Sequence, residues 1–81
     1  MAADKDIIRR VKREIIRRQS IDSTRINISC TMGHVDLGGY VRPVKGAVDI
    51  DLEEELNRII DVIMRIPGVK SVNTRYLRRL A

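Results

Sequence analysis

The sequence predicts an α+β fold: a two-layer α/β sandwich of order α-β-β-α-β, with both helices on one face of a three-stranded mixed sheet. Three observations carry that expectation. The spacing of apolar residues runs from helical to alternating, returns to helical, and ends in a β-branched stretch. Each helical stretch has one apolar stripe, so both helices must cover the same apolar sheet face. Eighty-one residues with 43% hydrophobic content furnish a single core.

The first helix is read over Asp6 to Gln19. Ile8, Val11 and Ile15 recur at i, i+3 and i+7, with Ile7 and Val11 at i, i+4. Asp4 and Asp6 stand near the positive end of its dipole and Arg17 and Arg18 near the negative end, with the acids also placed to cap. Ser20 to Ser23 breaks the pattern. From Ile26 the period is two: Ile26, Ile28, Cys30 and Met32 alternate with Asn27, Ser29 and Thr31, a strand with one aliphatic and one polar face. Gly33-His34 reads as a tight turn. Val35, Leu37, Gly39 and Val41 then alternate with Asp36, Gly38 and Tyr40, which completes an antiparallel hairpin. Gly38-Gly39 predicts a bulge in the second strand, or a helix lying close on it.

Arg42 to Ile50, interrupted by Pro43 and Gly46, reads as a connector and as the least regular part of the chain outside its termini. Asp51 then caps a second helix, with Glu54 three residues later as in a capping box. Leu52, Leu56, Ile59, Ile60, Ile63 and Ile66 form its apolar side, and Pro67-Gly68 ends it. Val69 to Leu77 reads as the last strand, followed by Arg78 and Arg79 as a basic tail. The sheet face turned away from the helices is left open, carrying Asn27, Ser29, Thr31, Asp36 and Tyr40.

Sixteen Lys and Arg against eleven acids give a net charge of +5, and twelve of the sixteen are arginines. A basic small domain points to an anionic partner. Cys30 is the one cysteine and His34 the one histidine, so an intrachain disulfide and a two-histidine metal motif are excluded. No metal and no cofactor is expected. Cys30 falls in register with the apolar side of its strand and reads as a core thiol. His34 reads as an exposed turn residue, without a base or nucleophile to work with. Asp22 and Asp36 read as isolated surface carboxylates, and Glu53 to Glu55 as charges suited to a helix start. No glycine-rich phosphate loop or nucleophile elbow is present, and the chain reads as non-enzymatic. The polar start, Met1 to Asp6, lacks an apolar signal region. That suits a cytoplasmic chain, or a periplasmic one whose signal has been removed.

Arg9, Arg10, Lys12, Arg13 and Arg17 span roughly 160° of the first helix at 100° per residue, opposite its isoleucines. With Arg78 and Arg79 they form the expected anion- or lipid-binding set, acting by electrostatic docking. No Phe or Trp stands beside them to insert into a membrane. Nucleic acid ranks last among the expected partners, because only Tyr40, and Tyr76 if it faces outward, can stack on bases. A free edge strand offers a route to pairing with a second copy.

These residues resemble a BON domain, the bacterial osmotic-shock and nodulation family. Gly33, Val35, Leu37, Gly39, Gly68, Val69, Val72 and Asn73 match its pattern of a glycine opening the hairpin, Val-x-Leu-x-Gly between strands, and Gly-Val-x-x-Val-x-Asn entering the last strand. The similarity runs over residues 6 to 80, read as one domain. It departs at Arg42 to Ile50, which reads as an insertion, and at the second helix, where Leu and Ile replace an alanine-rich inner face. The resemblance implies a binding module of bacterial envelopes and stress responses. Its partners would be anionic phospholipid or an assembly protein.

Overall fold

A computed structural model describes residues 4–46 and 49–80. The changes of apolar period appear in it as α1 (Asp4–Ile16), β1 (Ile21–Asp22), β2 (Ile26–Thr31), β3 (His34–Pro43), α2 (Leu52–Met64) and β4 (Ser71–Arg79). The mixed two-helix, one-sheet architecture is the expected one, but the sheet has four strands where three are expected. β3 is its centre. It pairs antiparallel with β2 (Ile28 opposite Leu37) and with β1 (Ile21 opposite Pro43), and parallel with β4 (Val35 opposite Val72).

The extra strand arises because β1 and β2 lie end to end along one edge of β3. Tyr40 N donates to Arg25 O and Val44 N to Ser20 O, on the same side of β3. Two residues carry no readable period, so only the burial of Ile21 marks β1 as part of the sheet. The same pairing draws Arg42 and Pro43, expected in the connector, into β3. Residues 44–46 and 49–51 are neither helix nor strand, while 47 and 48, also within the expected connector, lie outside the described residues. The bulge expected in β3 at the glycine pair is not there: the β2–β3 register runs unbroken through Gly39 and Gly38, and the extra residue in the β3–β4 pairing belongs to β4. Gly39 has φ +86°, and a Cβ there would stand 2.1 Å from Arg25 O. The close neighbour is thus the backbone between β1 and β2 and not a helix.

The hairpin turn is Met32-Gly33, one residue earlier than expected. Both residues have positive φ (51° and 84°), which matches the right-handed twist of the flanking strands. His34 is therefore the first residue of β3, and Met32, expected on the apolar side, is 73% exposed at the turn. β4 begins two residues late and includes Arg78 and Arg79, so the expected basic tail is strand.

The core is aliphatic. Ile7, Val11 and Ile15 of α1 and Leu56, Ile59 and Ile63 of α2 are buried with Val35, Leu37 and Val41 of β3 and Leu77 of β4. Ile26, Ile28 and Cys30 pack against this cluster half-buried. One cluster shared by both helices places them on the same sheet face, as the single stripes require. α1 ends three residues earlier than read, where Arg18 N turns to Ile15 O, and Ile8 is only half-buried. α2 starts as expected: Asp51 has extended dihedrals and its Oδ1 accepts from Glu54 N at 3.2 Å. The Glu54 carboxylate takes Arg58 as its partner.

Asp4 makes the most consequential contact outside the core. One carboxylate oxygen accepts from Met32 N at 2.9 Å, and the other from Gly33 N at 3.1 Å and from Cys30 Sγ at 3.4 Å. It ties the start of α1 to the hairpin turn, a role that no local pattern announces. The Met32 N–H, then that of Gly33, hold its carboxyl below the usual range. Burial, then the Asp4 carboxylate, pushes the Cys30 thiol up; the residue read as a core thiol is half-buried, packed against the edge of the core. A folded-state pKa lowered below the unfolded value contributes stability that is fully present above the unfolded value and is lost as pH falls from there through the lower folded value. Asp4→Asn should therefore lower the urea midpoint at pH 7, and the gap to the parent should begin to narrow below about pH 4 and shrink further as pH falls. Urea curves at both pH values check this; a pH-independent gap would show that the charge plays no part.

Candidate functional site

α1 turns Ile7, Val11 and Ile15 inward, and helical geometry then leaves Arg9, Arg10, Lys12, Arg13 and Arg17 outward. All five are exposed. Among the described residues Arg9, Arg10, Lys12 and Arg13 form no ion pair, while Arg17 pairs with Glu14 at 3.2 Å. Asp6, at i−3 and i−4 to Arg9 and Arg10 on the same face, is exposed and forms no ion pair among the described residues. The acids at the start of α2 are engaged elsewhere. Glu55 lies 3.7 Å from Arg18 and 3.8 Å from Arg58, Glu54 pairs with Arg58, and Glu53 pairs with Arg79. The result is four unpaired cations on one helix face.

The C-terminal arginines do not extend that face. Arg79 is held by Glu53 and also donates to Leu77 O, so it is not a free cation. Arg78 stands opposite Tyr40 on the outer face of the sheet, away from the helices. The seven expected anion-binding residues thus divide into five on α1, one on the opposite side of the molecule, and one tied down.

The outer sheet face is a second candidate surface. Arg25, Tyr40 and Arg78 form a row across its three lanes, since Tyr40 N bonds to Arg25 O on one side and Tyr40 faces Arg78 on the other. The next row is Asn27, Gly38 and Tyr76. Tyr76 is 69% exposed, and its position was not readable from alternation. Counting in twos from Val72 places Tyr76 on the core side. The register shift between Asp36 and Gly38, opposite Asn73 and Tyr76, adds one residue to β4, so Leu77 turns inward and Tyr76 outward. A groove of about 390 Å³ beside the first row is lined by Asp22, Arg25, Tyr40, Arg42 and Leu80.

His34 is exposed, and its Nδ1 lies 2.7 Å from Ser71 Oγ, joining the starts of β3 and β4. Asp22, read as isolated, accepts from Thr24 and from Arg42; the Thr24 hydroxyl, then its N–H and Arg42, hold its carboxyl below the usual range. No helix of the described residues is long and apolar enough to cross a membrane.

Comparison with known proteins adds a family. Among curated proteins no match is found. A solved domain of similar fold is the C-terminal domain of CdsD, a structural protein of the type III secretion system of Chlamydia trachomatis. The TM-score is 0.69 at 14% sequence identity, over 96% of this chain and 34% of that one, so this chain corresponds to about a third of the CdsD chain compared. The likeness at that identity concerns the fold. The model of the BON domain family matches residues 3–78, almost the whole length and slightly earlier than the resemblance over 6 to 80. The chain therefore belongs to the BON domain family.

Proposed function

We propose that this domain is a non-enzymatic binding module that docks on anionic phospholipid through the outer face of α1. The observation that carries the proposal is the set of four exposed cations without ion pairs, Arg9, Arg10, Lys12 and Arg13, directly opposite a buried stripe. A rigid helix presents them together, and each cation near an anionic surface contributes about 1 kcal/mol. The attachment is then weak to moderate. It is also salt-sensitive, because exposed charges are screened over about 8–10 Å at physiological ionic strength.

The test is co-sedimentation with vesicles of phosphatidylcholine mixed with the anionic lipid phosphatidylglycerol. The parent should bind at low salt, release as salt rises, and ignore pure phosphatidylcholine. Arg9→Glu with Arg13→Glu should abolish binding while circular dichroism stays unchanged, since both side chains are exposed. Undiminished binding by the double variant would refute the α1 site, and no parent binding at low salt would refute lipid docking.

A second reading, a protein-interaction module, draws support from the sheet edges. β2 and β4 each pair with β3 alone among the described residues, leaving an open edge on each side. The CdsD domain of similar fold is part of a structural protein. Sedimentation velocity over a concentration series would reveal self-association by that route.

A further inference from the structure

We infer that the outer face of the sheet, independently of α1, is a binding platform for single-stranded nucleic acid. The two aromatic residues of the chain both stand on this face, on neighbouring strands, 42% and 69% exposed. Two exposed tyrosines in adjacent rows of neighbouring strands, on a sheet face without a covering layer, make one contiguous aromatic surface. Between them the floor is Gly38. A Cβ there would stand 3.7 Å from the Tyr76 Cβ in ordinary contact, and beside Tyr76 lies a recess of about 170 Å³ lined also by Asn27, Ser29 and Asp36. A flat ring can lie on Tyr76 above this glycine.

Charge selects the ligand. Tyr40 stands between Arg25 and Arg78, and neither arginine forms an ion pair among the described residues. Phosphates flanking a stacked base would meet one cation on either side. A protein partner fits this face less well. Along the strands no aliphatic side chain points outward, and Leu80 lies only at the margin. Protein interfaces bury an apolar centre. What this face offers is two stacking rings, the amide of Asn27 and, beside Tyr40, two arginines, with one carboxylate, Asp36, set in the recess one row beyond Tyr76. Rings and arginines together hold unpaired bases and their backbone. A duplex, whose bases are already stacked, cannot use the tyrosines.

The probe is a fluorescein-labelled 12-mer of uridine and its thymidine counterpart, titrated with the intact chain by anisotropy at two salt concentrations. A 12-base-pair duplex and polyglutamate serve as competitors. The single strands should bind, weaken with salt, and resist competition by duplex and by polyglutamate. Tyr76→Ala should lower affinity roughly 5- to 150-fold, the range for loss of one stacked base, and Tyr76→Phe should restore it. Tyr40→Ala should act similarly. Arg9→Glu with Arg13→Glu should leave the tyrosine dependence intact, which separates this platform from lipid docking. The inference is overturned if the single strands do not bind, if Tyr76→Ala binds as the parent does, or if duplex or polyglutamate competes equally. It is likewise overturned if polyglutamate itself binds in a Tyr76-dependent way, since the face would then serve acidic protein.

Discussion

Ile63→Ala should destabilise the domain by about 2–5 kcal/mol. Ile63 is fully buried on α2, in the one cluster that α1, α2 and the sheet share. Removing three carbons there takes contacts from both layers, and a small domain cannot relax far to fill the space. A domain of this length has roughly 4–12 kcal/mol in total, so the loss is a large part of it. The corresponding fall in Tm is at least about 8 °C. Ile16→Ala is the control. Ile16 is 61% exposed at the end of α1, and its truncation should stay within about 0.5 kcal/mol of the parent. Thermal and urea denaturation of the two variants decide the matter; equal losses would mean that α2 does not seat on the core as described.

Gly33→Ala should be comparably damaging for a different reason. Gly33 has φ +84°, and a Cβ would stand 2.4 Å from Gly68 O, where real atoms do not approach. The backbone strain is about 1–3 kcal/mol and the forced displacement about 1–3 more, together about 2–6 kcal/mol. The displacement matters because three segments meet at this residue. Gly33 N donates to Asp4, Gly33 O accepts from Lys70 N at 2.7 Å, and the Pro67-Gly68 turn lies against its α-carbon. Gly38→Ala provides the contrast: its Cβ would meet Tyr76 at 3.7 Å with no positive φ, so stability should change little. If Gly33→Ala unfolds at the parent's urea concentration, the hairpin turn is free of the α2–β4 connection and the described junction is wrong.

The helices were legible because their inward residues repeat locally. Ile7, Val11 and Ile15, or Leu56, Ile59 and Ile63, need no knowledge of the rest of the chain. The two hairpin strands were legible for the same reason, but not their register, because the turn falls at Met32-Gly33 and pairs Thr31 with His34. What escaped depends on partners distant in sequence. Ile21 and Asp22 become a strand only because β3 runs on past Val41. Asp4 is bound to residues 28 and 29 positions away. A single extra residue in β4 reverses the sides of Tyr76 and Leu77, and the sequence around Asn73 to Tyr76 carries no mark of it. For the candidate sites, the exposure of α1's cations was readable from helical phase. The engagement of Arg79 by Glu53 was not, because it joins the end of one element to the beginning of another.

The parallel pairing of β3 with β4 has a consequence for linking this domain to anything else. Asp4 is anchored at the hairpin turn, where β3 begins, while Leu80 N bonds to Val41 O near the far end of β3. The first and last described residues are therefore separated by most of a ten-residue strand, about 30 Å, along a body whose longest dimension is 40 Å. Copies of the domain joined by short linkers would string out in one direction like beads. A circular permutant that joins the present ends would need a bridge of at least about 9 residues in extended form. Insertion of the domain into a loop of another protein would spread that loop apart by the same distance, so this domain suits end-to-end chains better than insertion.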